Sequence, residues 1–244
     1  MTMKKLLAMM FALVMTLSVQ ALERRDTIVI VNGDTVKNTT KQRAYDKYKK
    51  ADFLDFDLAL GFSAPTGAPD GVGFAPFRST EWTIGLRYKY TPKKALQTYS
   101  VGLWAKWSSY ALSKDKMFVM DDSHVVGVGA FPDKSSSKRS AINIFSLSVP
   151  FLFTQKFGHK SCWSFTLGPV VNFNLKGRIN NEYTVGDYEN DIYVKGIEYR
   201  PVTIDLMDMV TYKKVSAYFK YSPMSVLKKD MGPQFHALSF GVML

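Results

Sequence analysis

The stretch Asp121-Asp122-Ser123-His124 holds carboxylates, a hydroxyl and an imidazole within four residues. A serine nucleophile needs a base at hydrogen-bonding distance and an acid that orients the base. Adjacent side chains diverge, so neighbours in sequence do not by themselves build that geometry. His159 falls in a segment read as a short turn, and His236 lies on the opposite strand face from Ser239. Asp121 and Asp122 lack the ligand spacing of a dedicated calcium loop. The sequence therefore nominates no catalytic residues, no metal ligands and no cofactor.

A different chemistry is written into the charges. In FLDFDLALGF, residues 53–62, one parity carries Leu54, Phe56, Leu58, Leu60 and Phe62, and the other carries Asp55 and Asp57. In an extended strand the two parities are opposite faces. Continued along the chain, the polar parity collects Asp55, Asp57, Glu81 and Asp205 with Arg87, Lys89, Lys106, Lys176 and Lys220. Charges lining a narrow enclosed space must pair, because a buried charge without a partner is costly. The expected result is a lumen charge network that fills the interior and sets strand register. A narrow ion or solute channel is the alternative use of the same residues.

The elements that would position these charges are strands of period two. Alternation runs through 53–62, 80–90, 98–112, 141–154, 162–176, 193–207, 211–221 and 234–244. Their apolar faces carry Leu54, Phe56, Leu58 and Leu60; Trp82, Ile84 and Leu86; Trp163, Phe165 and Leu167; and Leu238, Phe240 and Val242. Strands of soluble sandwiches are usually about five or six residues long, whereas a strand that crosses a bilayer at a tilt needs roughly 9–11. Eight long alternating segments predict an all-β fold, an eight-stranded antiparallel transmembrane β-barrel over 52–244. Its apolar faces would be lipid-facing and its polar faces would point inward. Pro169 removes a ladder donor from the fifth segment and predicts a bulge or break there.

The connections 63–79, 113–140, the stretch after Lys176 and 222–233 are long, while 91–97, 155–161 and 208–210 are short. Alternating lengths are expected of a transmembrane barrel with periplasmic turns and extracellular loops. Aromatic residues gather at segment ends, with Tyr88, Tyr90 and Tyr99 around one short turn and Phe151, Phe153 and Trp163 around the next. Loops 113–140 and 177–200 are the candidate sites for an extracellular ligand, the second containing the acidic, aromatic GDYENDIY at 186–193.

Lys4 and Lys5 precede an apolar run ending in Val19-Gln20-Ala21, the form of a secretory signal peptide, 1–21, cleaved after Ala21. Of 32 basic residues only those two lie in the leader, leaving 30 against 21 acidic and a net charge of +9. The excess follows no single stripe, and an exported chain is not expected to meet nucleic acid. About half of it falls in 22–51, read as a periplasmic N-terminal arm able to approach anionic groups. Within the arm, DTIVIVNGDTV predicts a short hairpin about Asn32-Gly33. Cys162 is the single cysteine, so no internal disulfide forms. No window after residue 21 has eighteen consecutive apolar residues, which excludes a helical membrane span.

With the arm motif DTIVIVNGDTV (26–36), the penultimate segment ending YFKYSP (218–223) and the closing MGPQFHALSFGVML (231–244), the chain resembles the outer-membrane β-barrel proteins of Bacteroides-like bacteria, small relatives of OmpA-like and OmpX-like barrels. The motifs are loose and define architecture rather than activity. The resemblance implies location in the cell outer membrane, contact with outer-membrane lipid and lipopolysaccharide, and insertion by the barrel assembly machinery. Many such barrels end in phenylalanine, whereas this chain ends in Leu244, with Phe240 four residues earlier. A structural or surface-binding role without catalysis is expected. The broad group also contains a barrel of a protein secretion system and lipid-modifying enzymes, which stand as alternatives.

Overall fold

A computed structural model describes residues 54–92, 96–113, 115–157 and 162–244, together with the backbone of 30–31 and 34–35. The leader 1–21, most of the arm 22–51, and His159 lie outside the described residues. The chain divides into two units, Met1–Ala51 and Asp52–Leu244. In the first, β1 (Ile30–Val31) pairs antiparallel with β2 (Asp34–Thr35), Val31 opposite Asp34. That register leaves Asn32-Gly33 between the strands, the residue pair most favoured for a two-residue hairpin.

The second unit contains β3 (Leu54–Thr66), β4 (Thr80–Tyr90), β5 (Gln97–Ala111), β6 (Lys116–Met120), β7 (Val126–Ala130), β8 (Ser135–Lys156), β9 (Trp163–Val185), β10 (Tyr188–Lys195), β11 (Val202–Tyr212), β12 (Val215–Ser222) and β13 (His236–Met243). Strands β3, β4, β5, β8, β9, β11, β12 and β13 pair antiparallel in that order, and β13 pairs back with β3. The sheet is a closed eight-stranded antiparallel β-barrel, and closure removes the free edges an open sheet would present. The β4-to-β5, β8-to-β9 and β11-to-β12 strand ends lie at one end, which we call the turn end; the strand ends joined by the long connections lie at the other, the loop end.

Some boundaries differ from the alternation. The sixth segment, expected at 193–207 with a turn at 208–210, is β11 from Val202 to Tyr212, and the turn is Lys213-Lys214. Lys213 adopts φ 58°, a conformation that glycine or asparagine usually signals. Asp208 interrupts the apolar parity of β11, which hid the strand's continuation through it. At Pro169 the ladder breaks without a bulge: the β8–β9 pairing skips Gly168 and Pro169 opposite Phe151 and Leu152 and resumes in the same register, while the register to β11 passes through Leu206↔Pro169 unshifted. Strands β8 and β9 run well past the predicted ends, so much of the stretches 113–140 and 177–200 is strand instead of irregular loop.

The loop end is closed by an apolar cap. Phe118 of β6 and Val126 of β7 pack with Ile197, Leu227 and Phe235 from the loops and with Tyr110, Ile142 and Ile179 from the barrel wall. Phe118, Leu227 and Phe235 are fully buried, and Phe74 meets Phe235 at a ring distance of 4.6 Å. Backbone bonds join the loops to one another: Ser113 N–H donates to Gly73 O (2.8 Å), Val126 N–H to Met231 O (3.0 Å) and Arg200 N–H to Val226 O (2.9 Å). Lys228 hydrogen-bonds to Glu198 and holds that carboxyl below its usual range. The cap arises because loop residues at irregular spacing bury more apolar area together than any strand pattern discloses.

Replacing Phe118 by alanine empties the centre of the cap, at a cost of about 3–5 kcal/mol if the site cannot collapse. The variant is expected to expose the β6–β7 hairpin to trypsin while the barrel keeps its β-sheet circular dichroism. Unchanged cleavage would show that the cap is held by other contacts.

Candidate functional site

The alternation of β3, β4, β5, β11 and β12 directs charged side chains into the barrel. Near the turn end, Arg87 donates to Asp57 Oδ1 at 2.7 Å and lies 3.8 Å from Asp55, which also pairs with Lys89. Trp104 Nε1 donates to the second oxygen of Asp57 at 2.8 Å. The register explains the reach: Asp57, Gly85 and Trp104 are opposite one another on β3, β4 and β5. A Cβ at Gly85 would collide with Trp104 Cδ1 and the Leu103 carbonyl, so only glycine lets the indole cross β4.

The second charged group spans the lumen from β4 and β5 to β11 and β12, on the opposite wall. Lys106 Nζ lies 3.0 Å from Asp205, Lys220 lies 3.6 Å from Asp205, and Lys220 also pairs closely with Glu81. Ser222 donates to Asp205 (2.7 Å) and Ser108 to Glu81 (3.4 Å). Each group holds two acids and two bases, so each closes without net charge. Hydroxyl–amide pairs continue the polar lining at Ser148–Asn172 (2.7 Å) and Ser146–Asn174 (2.6 Å).

The lumen is not polar throughout, contrary to the expectation from parity. Ala59, Trp104, Leu152, Val170, Met207, Met209, Tyr218 and Met243 form a buried apolar cluster. Unbranched methionines fill irregular space between the aromatic rings. A cavity of about 20 Å³ lies between the charges and the cap, lined by Lys106, Asp205, Tyr110, Asn174 and Met224 among others. That is room for about one water molecule.

The residues read as inward are placed together with one exception. Asp55, Asp57, Glu81, Arg87, Lys89, Lys106, Asp205 and Lys220 all join the ion pairs above. Lys176 does not; it is exposed on the outer face. Phe145 pairs with Lys176 but Ser146 pairs with Asn174, so Leu175 is an extra residue in β9. This bulge reverses the parity. Asn174 bonds Ser146 inside, whereas two positions past the bulge Gly177 faces Ile197 of the cap and four positions past it Ile179 is fully buried. Residue types announce neither the bulge nor the crossing of Trp104, although Trp104 does share the parity of Lys106.

The apolar parity faces away from the lumen. Leu54, Phe56, Leu60, Trp82, Leu86, Trp163, Phe240 and Val242 are exposed, and Leu58, Ile84, Phe165, Leu167 and Leu238 are half-buried among outward neighbours. Outward rings form belts: Trp82 stacks on Trp107 at 4.0 Å and Trp107 meets Phe145 at 4.8 Å toward the loop end, while Trp163 meets Tyr212 at 4.8 Å beside the turns. The Asp-Asp-Ser-His stretch is the β6–β7 turn, in which Asp121 Oδ1 accepts from Val125 N–H (2.8 Å) and Asp121 O from His124 N–H (3.0 Å). No known family model matches the chain, and no curated protein is significantly similar to it.

Lys220→Met would leave Glu81 short of its cation and Asp205 with one instead of two. We expect a loss of about 3–5 kcal/mol in urea unfolding, against no more than about 0.5 kcal/mol for Lys213→Met at the surface. Equal effects of the two would mean that the lumen charges are solvated. Gly85→Val is expected to cost about 1–3 kcal/mol through overpacking and to change Trp104 emission in a background where Trp82, Trp107 and Trp163 are phenylalanine. Unaltered emission would show that the indole does not depend on the glycine.

Proposed function

We propose that this chain is a small outer-membrane β-barrel with a structural or surface-binding role and no catalysis, inserted by the barrel assembly machinery, its turn end periplasmic and its capped end outside. One observation carries the reading: burial is inverted relative to a soluble barrel. Leu54 and Phe56 are 55% and 59% exposed, while Asp57 and Asp205 are 1% exposed. Water does not favour a continuous apolar belt of this extent, whereas acyl chains do. From Trp163 to Leu175 the outer face of β9 is largely apolar. At about 3.3 Å per residue and a tilt near 40° it rises roughly 30 Å, the thickness of a hydrocarbon core. The loose likeness to barrels of Bacteroides-like bacteria fits the same reading.

The two neutral charge groups, the methionine-rich cluster and the apolar cap fill the lumen, which favours a closed barrel over a channel. Surface binding is best carried by the β9–β10 hairpin, where Tyr188, Ile192 and Tyr193 are exposed on a strand pair that continues the barrel wall.

The test combines membrane fractionation with heat-modifiable gel mobility. The protein is expected in the outer-membrane fraction, resistant to alkaline extraction and shifting in mobility only after boiling; recovery in detergent-free periplasmic extract would refute the proposal. In planar bilayers the purified protein is expected to give no current steps above background, and regular steps would restore the channel reading.

A further inference from the structure

The bulge that turns Lys176 outward sits at a boundary. Toward the turn end, the outward positions of β9 are apolar up to Phe173 and Leu175; beyond it they are Lys176 and Arg178. Strand β8 changes at the same level, with Phe145 opposite Lys176 and Asn143 opposite Arg178. On the hairpin, β10 sets Lys195 opposite Arg178. Paired residues on neighbouring strands are about 5 Å apart, and alternate residues along one strand are about 7 Å apart. Three exposed cations are therefore held side by side. Among the described residues none of the three is in an ion pair. Arg178 Cζ lies 5.1 Å over the ring of Tyr193, a cation–π contact that places the charge beside the ring without an anionic acceptor. The hairpin's carboxylates, Glu182 and its partner Asp191 among them, stand farther from the barrel.

We propose that Lys176, Arg178 and Lys195 form a binding site for the phosphate groups of an anionic lipid in the leaflet around the capped end of the barrel. The proposal rests on the membrane-spanning reading, because lipid phosphates sit just outside the hydrocarbon, at the height where the apolar face of β9 ends. Arginine offers phosphate a planar fork and lysine a compact point charge, so the cluster suits a phosphate monoester or diester. A free phosphate would gain only the charges. A lipid also covers Phe145 and Leu175, which border the cluster on its apolar side, and this makes lipid the occupant.

The test uses the full mature chain, 22–244, refolded in detergent micelles, with three probes: bis-phosphorylated lipid A, the same lipid after phosphatase treatment, and inorganic phosphate. Binding is read by native mass spectrometry. The triple variant Lys176→Gln, Arg178→Gln, Lys195→Gln is compared with the turn-end double variant Lys213→Gln, Lys214→Gln and with the charge-keeping Arg178→Lys. Each cation near a lipid surface contributes about 1 kcal/mol, so the triple variant is expected to bind the phosphorylated lipid about 100-fold more weakly. The double variant should bind as the parent does, Arg178→Lys should keep most of the affinity, and neither the dephosphorylated lipid nor inorganic phosphate should bind comparably. A loss of less than about tenfold in the triple variant, or equal binding of the dephosphorylated lipid, overturns the site, as does inorganic phosphate binding as tightly as the lipid. Flotation with vesicles and heat-modifiable mobility are measured on the same preparations. A chain that floats and shifts but fails the binding arms refutes the site alone, whereas one that stays soluble without vesicles refutes the membrane reading itself.

Discussion

The barrel depends on one seam, the pairing of the last strand with the first. From His236↔Thr66 to Met243↔Ala59, β13 and β3 form an unbroken ladder, and Leu244 exchanges backbone hydrogen bonds with Leu58 at 2.9 and 3.3 Å. Ser63 and Ser239 add a side-chain bond at 2.8 Å across it. In a hydrocarbon medium an open edge has no water to satisfy its N–H and C=O groups, and each such group costs several kcal/mol. The interior charges, the cap and the outer belt all presuppose that this ladder is complete.

Closure creates a space too narrow for a continuous water column and too wide for small side chains, and the sequence resolves that conflict in layers. Charged groups come in neutral sets of four, so each desolvated carboxylate faces a cation from a different strand. Where charges stop, Met207, Met209 and Met243 fill the gaps around Trp104 and Tyr218. At the open mouth, loops supply the apolar volume that the strands do not. Each layer also ties strands distant in sequence, as when Lys106 reaches Asp205 across the lumen.

Much of this was legible before any coordinates. Parity alone sorted Asp57 from Phe56 and Lys220 from Phe219, because one face of each strand is wholly inside. The failures share a cause: they lie where local backbone geometry departs from the repeat. The extra residue at Leu175 reversed the face of Lys176, and no residue type there marks a bulge. Lys213 occupies a left-handed position that its side chain does not announce. Residues of the cap, such as Phe118 and Leu227, have no shared period because they meet from separate loops. Trp104 and Gly85 had the right parity, but a contact across an intervening strand is a property of register, which only the assembled sheet defines.

Tyr218 is opposite Gly241, and Gly241 is opposite Gly61; its phenol lies where a Cβ on Gly61 would be. A ring rooted in the penultimate strand thus overlies backbone from both termini of the barrel. Its place exists only where the first and last strands are already side by side, since the space it fills is bounded by Gly61 of one and Gly241 of the other. Glycine at both positions therefore lets one side chain pack over the junction of the two ends of the barrel, so the fit of that ring and the closure of the wall depend on the same backbone.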